Sequence, residues 1–323
     1  GDFRPRQPLF SSAELFMYVT GFQSGTEAII SLLNHFEAEQ IILAEDLCPD
    51  YVKAITSLNC EVFIAPVSSV GLTADYESIY IKTVGCRKKT AVLFSHPYGI
   101  YDREALEKLN AKLKKDDIII NDCCLCSPMH LISGDLLLPA VFSFGYSKVL
   151  DLDGGGLLLS GSRPAVHQEP MRVCREIERF GITYSFDFEL YLAMNWSEFS
   201  ETSFFKNLSN YSQFVFSEKE RSRSYLRSVF RSFEYIDSDW RFVIKSGLTR
   251  EGILELQAHA KRQGVFLGAN YPLIRLKNGE VSVDVMATDN MGWPINIFTD
   301  FRVDELHIRT VSELVKGRLC VSR

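Results

Sequence analysis

The sequence lacks the features that mark membrane-spanning, secreted and disulfide-rich proteins. No apolar run in its 323 residues approaches the ~18 residues that a membrane helix needs. The first twenty residues contain no basic segment followed by an apolar one. The eight cysteines are too few and too scattered for a disulfide framework. These absences favour a protein of a reducing compartment, and we expect a cytoplasmic location.

Positive charge is also in deficit, since 35 Lys and Arg face 41 Asp and Glu. Nucleic-acid phosphates select basic surfaces, so this balance argues against a nucleic-acid partner. The one dense basic run contains Arg221, Arg223, Arg227 and Arg231, and its helical spacing favours a solvated helix face. The chain is 46% hydrophobic and 24% charged, which is typical of a globular protein long enough for two domains.

Three cysteines lie close together after the apolar run Ile118–Ile120. If that run continues as a strand, Cys124 and Cys126 share one face and Cys123 points to the other. No second cysteine pair or histidine cluster nearby in the sequence completes a tetrahedral metal site. We therefore interpret these cysteines as small buried hydrophobic residues and expect no metal.

Strand-like runs alternate with helical spacing in the first half of the chain. The helical spacing is clearest in Arg103–Lys114, where Leu106, Leu109 and Leu113 share one face. Such alternation predicts an α/β fold whose mainly parallel sheet is covered by helices on both faces. The predicted strands are Leu15–Thr20, Gln40–Ala44, Glu61–Pro66, Thr90–Ser95 and Asp117–Asn121.

The second half has a different organisation. Pro164–Phe233 has mainly helical spacing, and a smaller α/β unit follows it. The elements predicted in that unit are a strand at Trp240–Ile244, a helix at Thr249–Gln263 and short strands around Val265–Leu267 and Pro272–Leu276. We predict a large domain over residues 1–200, a helical connection over 201–235 and a small C-terminal domain over 236–323.

Ligands of α/β sheets bind beyond the carboxyl ends of the strands, so we consider the residues that follow each predicted strand. Ser24, Gly25 and Thr26 open a helical segment, where free N–H groups suit a phosphate, although an ordinary helix cap has the same pattern. His96-Pro97-Tyr98-Gly99 could place a ring over a ligand or be only a loop.

Two charged residues complete the set of candidates. Asp122 ends a central strand, where it is either a turn acid or a carboxylate that needs a cation to offset its desolvation. Lys148 lies between two buried-looking strands, where an amine loses hydration and becomes nucleophilic. A phosphate turn, a carboxylate for a pyridinium nitrogen and a lysine that forms a Schiff base are what pyridoxal 5'-phosphate requires. Ser143, just before Lys148, is a further phosphate candidate.

The order of these motifs resembles that of the DegT/DnrJ/StrS family of sugar aminotransferases, which are fold-type I pyridoxal-phosphate enzymes. The resemblance runs from about Leu15 to Pro272. The matching segments are Ser24-Gly25-Thr26, His96-Pro97-Tyr98-Gly99, Asn121-Asp122-Cys123-Cys124-Leu125, Gly134-Asp135 and Ser143 to Gly156. Ala193 to Ser197, with Asn195 as a cofactor-binding candidate, and Gly268 to Pro272 match more loosely.

The resemblance also implies a ring that stacks on the cofactor, after the strand Gln40–Ala44. Tyr51 is the nearest candidate for this position, and Cys48 is the alternative. Leu125 stands where the family has a Gln, so we expect no hydrogen bond to the cofactor's phenolic oxygen. Asn270 replaces a family His, and only 23 residues precede Ser24, so we expect the substrate side to differ from the family pattern.

The function implied by the resemblance is transfer of an amino group from glutamate or glutamine to a nucleotide-linked keto sugar. Lys148 would be the catalytic lysine and Asp122 the partner of the pyridine nitrogen, in a homodimer with small-molecule substrates. Two alternatives remain open at this point. One is another pyridoxal-phosphate reaction, such as that of a lyase or a decarboxylase, and the other is a non-catalytic protein that keeps the fold.

Overall fold

The structure is a computed structural model. It describes residues 18–56, 58–67, 72–83, 88–128, 130, 138–145, 148–150, 154–160, 201–268, 273–277, 280–284, 293–299 and 303–321. In the first part of the chain the strands are β1 Tyr18–Phe22, β2 Gln40–Ala44, β3 Glu61–Ala65, β4 Thr90–Ser95, β5 Ile118–Asp122, β6 Ala140–Ser143 and β7 Gly156–Ser160. The helices there are α1 Gly25–Phe36, α2 Pro49–Thr56, α3 Tyr76–Thr83 and α4 Arg103–Asn110.

These strands form a seven-stranded sheet in the order β1-β7-β6-β5-β4-β2-β3. Strands β2 to β6 pair in parallel, whereas β7 is antiparallel to both of its neighbours. β1 therefore runs in the same direction as β6. As a result, the carboxyl ends of β1 to β6 all meet at one edge of the sheet, which we call the carboxyl edge.

Helices cover both faces of this sheet, as the alternation of strands and helices predicts. Ile41 and Leu43 pack with Ile29 of α1 on one face. Ile42, between them, packs with Leu106 of α4 on the other face. Strands that are apolar at every position suit this arrangement, because both faces are buried.

The second part of the chain forms its own hydrophobic core. Its helices are α5 Glu201–Val229, α6 Arg250–Arg262 and α7 Glu305–Val321, and its strands are β8 Tyr235–Asp237, β9 Arg241–Ile244, β10 Leu273–Lys277, β11 Glu280–Asp284 and β12 Ile295–Phe298. β8, β9 and β12 form an antiparallel sheet in the order β12-β9-β8. Phe242 and Ile297 of this sheet pack with Phe230, Leu256 and Val311.

The hairpin of β10 and β11 packs elsewhere, against the large sheet. Ile274 lies in the core beside α1, and its N–H donates to the Glu45 carbonyl at 2.6 Å. Arg275 forms an ion pair with the Glu45 carboxylate. The C-terminal part of the chain therefore leaves its own core at this hairpin and returns to it afterwards. The domain boundaries at 200 and 235 stay a prediction.

Several local predictions are confirmed and others are wrong. The helix predicted at Thr249–Gln263 is present as α6. Thr249 caps it by accepting a hydrogen bond from the Gly252 N–H, and Gly264 follows it with a φ of +74°. The strand expected around Val265–Leu267 is absent: these three described residues have no regular secondary structure, and the next residue, Gly268, forms an isolated bridge with Asn296.

The basic run on α5 is only partly a solvated face. Arg221 and Arg231 are exposed as expected. Arg223 and Arg227 instead form ion pairs with Asp237 of β8, because α5 packs over that strand. Within the ranges given above, none of the helices combines the length and the apolar character that crossing a bilayer would require.

Candidate functional site

A cleft lies at the carboxyl edge of the large sheet. It contains about 600 Å³ of empty space, counting the part open to solvent. Asp122 and Lys148 line it, together with Tyr51 and Cys124. Trp240 lines it from the C-terminal part. The cleft therefore collects residues that follow four different strands.

The turn before α1 has the geometry of a helix cap. Ser24 Oγ accepts a hydrogen bond from the Glu27 N–H at 3.1 Å, and Glu27 Oε2 accepts from the Gln23 N–H at 2.7 Å. This reciprocal pair is a capping box. The Ser24 hydroxyl proton stays available for another acceptor, since Oγ acts only as an acceptor in the cap. Gly25 is buried, and Thr26 is half-buried in the first turn.

Close backbone packing joins this turn to the ends of β5 and β6. A Cβ at Gly25 would lie 2.6 Å from the Cys124 Sγ and 3.2 Å from the Ser143 Cβ. A Cβ at Gly156 would lie 2.3 Å from the Ser24 carbonyl oxygen. These contacts leave no space for a Cβ at Gly25 or Gly156, so the turn before α1 packs directly against Cys124, Ser143 and the start of β7. The predicted phosphate residues Ser24, Gly25 and Ser143 are therefore brought together.

Asp122 is the last residue of β5 and is only 6% exposed. Its Oδ1 accepts a hydrogen bond from the Cys124 N–H at 3.0 Å. Burial raises the pKa of Asp122 above its usual value, although hydrogen bonds from Cys124 and the nearby charge of Lys148 act in the opposite direction. A carboxylate in this position would gain from a further cation in the cleft.

Lys148 lies in the segment between β6 and β7. Its N–H donates to the Gly145 carbonyl at 3.1 Å, and the next two residues, Val149 and Leu150, are buried in the core. Lys148 itself is half-buried and lines the cleft. Its charge acts on both Asp122 and Cys124, so the structure brings the predicted lysine and carboxylate together.

Tyr51 lies on α2 with its ring buried against the same cleft. Its hydroxyl donates to the Cys124 Sγ at 3.2 Å. Burial raises the pKa of Tyr51 well above its ordinary value, so the phenol is neutral. Cys48, the alternative for the stacking position, also lines the cleft. The stacking role of Tyr51 stays a prediction.

The His96-Pro97-Tyr98-Gly99 segment forms a tight turn after β4. Its His96 Nδ1 accepts from the Asp102 N–H at 3.1 Å, so Nε2 donates to the Asn121 Oδ1 at 2.7 Å. Burial lowers the pKa of His96 to about 4, which keeps the ring neutral at physiological pH. Tyr98 has a φ of 57°, and the ring of this buried residue lines the cleft.

The arrangement expected for the three cysteines after Asp122 needs correction. The chain turns immediately after Asp122, so Cys123, Cys124 and Cys126 do not continue the strand. All three are buried as predicted, but Cys123 and Cys126 enter one core cluster and Cys124 enters the opposite one. The predicted sharing of a face by Cys124 and Cys126 is therefore wrong.

Sequence reasoning missed the role of Trp240. It was expected inside a strand, whereas β9 begins one residue later. Trp240 packs on Gly99, where a Cβ would lie 3.0 Å from the Trp240 Cβ. The Arg241 guanidinium lies 4.1 Å from its ring centre, and the buried Lys219 Nζ donates to its carbonyl at 3.2 Å. Only tertiary packing brings this ring to the cleft.

Some predicted motif residues lie outside the described residues. They are Asn195, Gly134, Asp135 and Asn270. The side chain of Leu125, at the position of the family Gln, is half-buried and lines the cleft. A leucine side chain cannot donate a hydrogen bond. The expectation that Leu125 makes no hydrogen bond to the cofactor's phenolic oxygen therefore rests on the residue type alone.

No protein-family model matches the sequence, and no curated protein matches it in sequence. Solved structures do match the fold. The sugar aminotransferase Spr1654 from Streptococcus pneumoniae, in its PLP form, is 12% identical, with a TM-score of 0.65 over 94% of this chain and 88% of that one. Helicobacter pylori PseC, an aminotransferase involved in the biosynthesis of pseudoaminic acid, is 13% identical, with a TM-score of 0.65 over 94% and 87%.

A third match is a DegT/DnrJ/EryC1/StrS aminotransferase from Brucella abortus. It is 12% identical, with a TM-score of 0.60 over 93% of this chain and 85% of that one. Identities this low establish the arrangement of strands and helices and leave the chemistry to the residues of the site. The chain therefore has the fold-type I architecture of these aminotransferases, as the order of its motifs predicted.

Proposed function

We propose that this protein is a pyridoxal-phosphate-dependent aminotransferase. Its substrates would be glutamate or glutamine as amino donor and a nucleotide-linked keto sugar as acceptor. The observation that carries the proposal is that Lys148 and Asp122 line one cleft at the carboxyl edge. The Ser24-Gly25 turn packs against Cys124, which lines the same cleft. Ligands of open α/β sheets bind at that edge.

The residues of the cleft fit the cofactor. The close-packed Gly25 and Gly156 leave backbone N–H groups and the Ser24 and Ser143 hydroxyls beside the first turn of α1, where a helix dipole favours a phosphate. The buried Asp122 carboxylate needs a cation, and a protonated pyridine nitrogen is one. Of the atoms in the described residues, only the Ser143 Oγ, at 3.7 Å, lies within 4 Å of a Cβ placed on Gly145, so these residues leave room beside Ser143.

Each residue would then have a distinct task. When bound, pyridoxal phosphate supplies an electron sink for the carbanion at the donor's α-carbon. Lys148 Nζ would hold the cofactor through its amine and move the proton at that α-carbon as general base and acid. Asp122 would keep the proton on the pyridine nitrogen, and Ser24, Gly25, Thr26 and Ser143 would bind the phosphate.

We extend the proposal to the roles of Tyr51 and Asn195 and to the location and oligomeric state of the protein. Tyr51 would lie over one face of the cofactor ring, and Asn195 would contact the cofactor. We place the protein in the cytoplasm, a location consistent with the six described cysteines, which are all free thiols. We expect a homodimer, which sedimentation of the full chain at twice 36.7 kDa would support.

The test of cofactor attachment is the visible absorbance of purified protein incubated with pyridoxal phosphate and then desalted. The wild-type protein should retain a visible band, and borohydride reduction should fix the cofactor mass on the peptide that contains Lys148. Lys148→Ala should lose the band. Lys108→Ala, a change in an exposed lysine of α4, is the matched control and should keep it.

The reaction is tested by adding each amino donor to the loaded protein. Loss of the visible band with glutamate or glutamine, together with release of the corresponding keto acid, is the expected result. A band that persists with both donors would count against the aminotransferase and favour another pyridoxal-phosphate reaction. Absence of any Lys148-dependent band would rule out both enzyme hypotheses and leave the hypothesis of a non-catalytic binding protein.

A further inference from the structure

A second cluster of reactive side chains lies beside the cleft, and the proposed function does not use it. His96, Cys123 and Cys126 are each no more than 3% exposed. One ring nitrogen and the two sulfur atoms all lie within 4.8 Å of one another. His96 follows β4, and the two cysteines follow its neighbour β5. The cluster therefore joins the turns after two adjacent strands.

The two cysteines have the spacing and backbone turn of a metal-binding pair. They are separated by two residues, and the Cys126 N–H donates to the Cys123 carbonyl at 2.9 Å. This turn places both side chains in the same core cluster. Pairs of this spacing supply two thiolates to zinc sites. The histidine that the sequence did not place nearby is brought in by the parallel pairing of β4 and β5.

The distances allow a metal with little rearrangement. Around a Zn²⁺ ion with metal–sulfur distances of about 2.3 Å and a metal–nitrogen distance of about 2.0 Å, neighbouring ligand atoms lie roughly 3.5–3.8 Å apart. The 4.8 Å limit on the present separations thus requires side-chain shifts of about 1 Å or less. Rotation about the χ1 angles of Cys123 and Cys126 would suffice.

The hydrogen-bond partners of His96 are compatible with its acting as a metal ligand. The Nδ1 of His96 accepts a hydrogen bond from the Asp102 N–H, so this nitrogen presents a lone pair, and a ring nitrogen with a lone pair is the form that binds metals. Its two nitrogens contact the Asp102 N–H and the Asn121 Oδ1. Metal binding replaces one of these bonds, and the other then fixes the ring, as outer hydrogen bonds do in known metal sites. His96 also lines the cleft, which provides an entry path.

We propose that His96, Cys123 and Cys126 bind one soft metal ion, Zn²⁺ or Cu⁺. Two thiolates and an imidazole form a donor set that selects these ions over Mg²⁺ or Ca²⁺. Binding releases the two thiol protons. Zn²⁺ balances both of the negative charges that remain, and Cu⁺ balances one of them. The metal ties the turn after β4 to the turn after β5 and so fixes Asp122, which directly precedes Cys123.

The test begins with the metal content of full-length protein purified under reducing conditions without chelators. The expected content is about one equivalent of metal per chain, and elemental analysis distinguishes zinc from copper. The metal-free protein is then titrated with Co²⁺, whose sulfur-to-metal charge-transfer absorbance reports thiolate ligation, and with Cu⁺ against a coloured Cu⁺ chelator. The variant that removes both thiolates, Cys123→Ser with Cys126→Ser, should take up at least tenfold less metal.

Cys124→Ser is the matched control, because this cysteine belongs to the same turn but packs in the opposite core cluster. It should keep the metal and the charge-transfer band. Lys148→Ala should also keep them, which separates this site from the proposed cofactor site. Far-ultraviolet circular dichroism and a cooperative thermal transition like those of the wild-type protein would show that the double serine variant is folded.

Three results would overturn the proposal. The first is wild-type protein that contains no metal and gives no charge-transfer band with Co²⁺. The second is metal that persists in the folded double serine variant. The third is a Cys123–Cys126 disulfide in the isolated protein, with no metal uptake after reduction.

Discussion

Two glycines set how closely the turn before α1 approaches the loop that carries Lys148. Gly25 contacts the ends of β5 and β6, and Gly156 contacts the Ser24 carbonyl, in both cases with no space for a Cβ. The proposed phosphate site therefore depends on the lack of a side chain at two positions as much as on the presence of polar groups. At the residue scale, these absent methyl groups are as necessary as Lys148 or Asp122.

Gly156→Ala should damage the cofactor site. The new Cβ would lie 2.3 Å from a backbone oxygen, so the Ser24 turn must move, and we expect a loss of about 1–3 kcal/mol in the free energy of unfolding. Pyridoxal-phosphate affinity, measured by fluorescence titration, should fall at least tenfold.

Gly317→Ala is the control for this change. No atom of the described residues lies within 4 Å of a Cβ at that position in α7, so alanine should raise the stability by about 0.5–1 kcal/mol and leave cofactor affinity unchanged. Equal cofactor affinity in Gly156→Ala and wild-type protein would contradict the close-packed phosphate turn.

The sequence predicted the strand-end residues better than their surroundings. Asp122 and Lys148 follow from strand boundaries, because a buried charge at a strand end needs a partner. The positions of Cys123 and Trp240 could not be predicted in this way. The first depends on where the chain leaves β5, and the second depends on packing between the two halves of the molecule.

Helix α5 is held to the sheet of β8, β9 and β12 by ion pairs as well as by its apolar face. Arg223 and Arg227 bind the two carboxylate oxygens of Asp237 in β8. The side chains of Arg223 and Asp237 are only 14% and 13% exposed. Water screens such a pair much less than it screens a surface ion pair.

Asp237→Asn should therefore destabilise the protein by about 1–3 kcal/mol, because two half-buried guanidinium groups lose a charged acceptor. Chemical denaturation followed by circular dichroism measures this loss. Glu255→Gln is the control. Its ion pair with Arg318 has side chains that are 69% and 41% exposed, so the change should cost less than about 0.5 kcal/mol. Equal losses for the two variants would contradict the attachment of α5 through Asp237.

Individual strands were predictable to different degrees. β2 and β4 have the predicted bounds because their central positions are continuously apolar and are buried on both faces. β1 was expected at Leu15–Thr20, whereas it is described at Tyr18–Phe22. Its register follows from pairing with β7, and a single-strand pattern contains no information about its partner.

At the scale of the whole molecule, Trp240 is a contact between the two hydrophobic cores. It belongs to the segment before β9, yet it packs in the cluster that contains Phe142 and Leu157 of the large sheet. Its neighbour Phe242 packs in the C-terminal cluster. Two residues that are only two positions apart in the chain therefore pack in different cores, and we expect this to couple the unfolding of the two cores.

Trp240→Ala should weaken this coupling. Loss of a buried ring costs about 3–5 kcal/mol, and we expect calorimetry to resolve two thermal transitions in the variant against one in the wild-type protein. Trp293→Ala, which removes a half-buried ring from the C-terminal cluster, is the control and should lower the stability without splitting the transition. A single transition in both variants would show that other contacts join the two cores.

The pairing of β1 with β7 has a consequence for synthesis of the chain. β1 leaves the ribosome early, but its partner β7 comes only after Lys148, and the same pairing brings the Gly155 N–H onto the Gln23 carbonyl. Until its partner has been synthesised, an edge strand exposes unpaired backbone N–H and C=O groups. The cofactor cradle is thus among the last parts of the large sheet to form, so pyridoxal phosphate would stabilise a nearly finished domain and could not nucleate it.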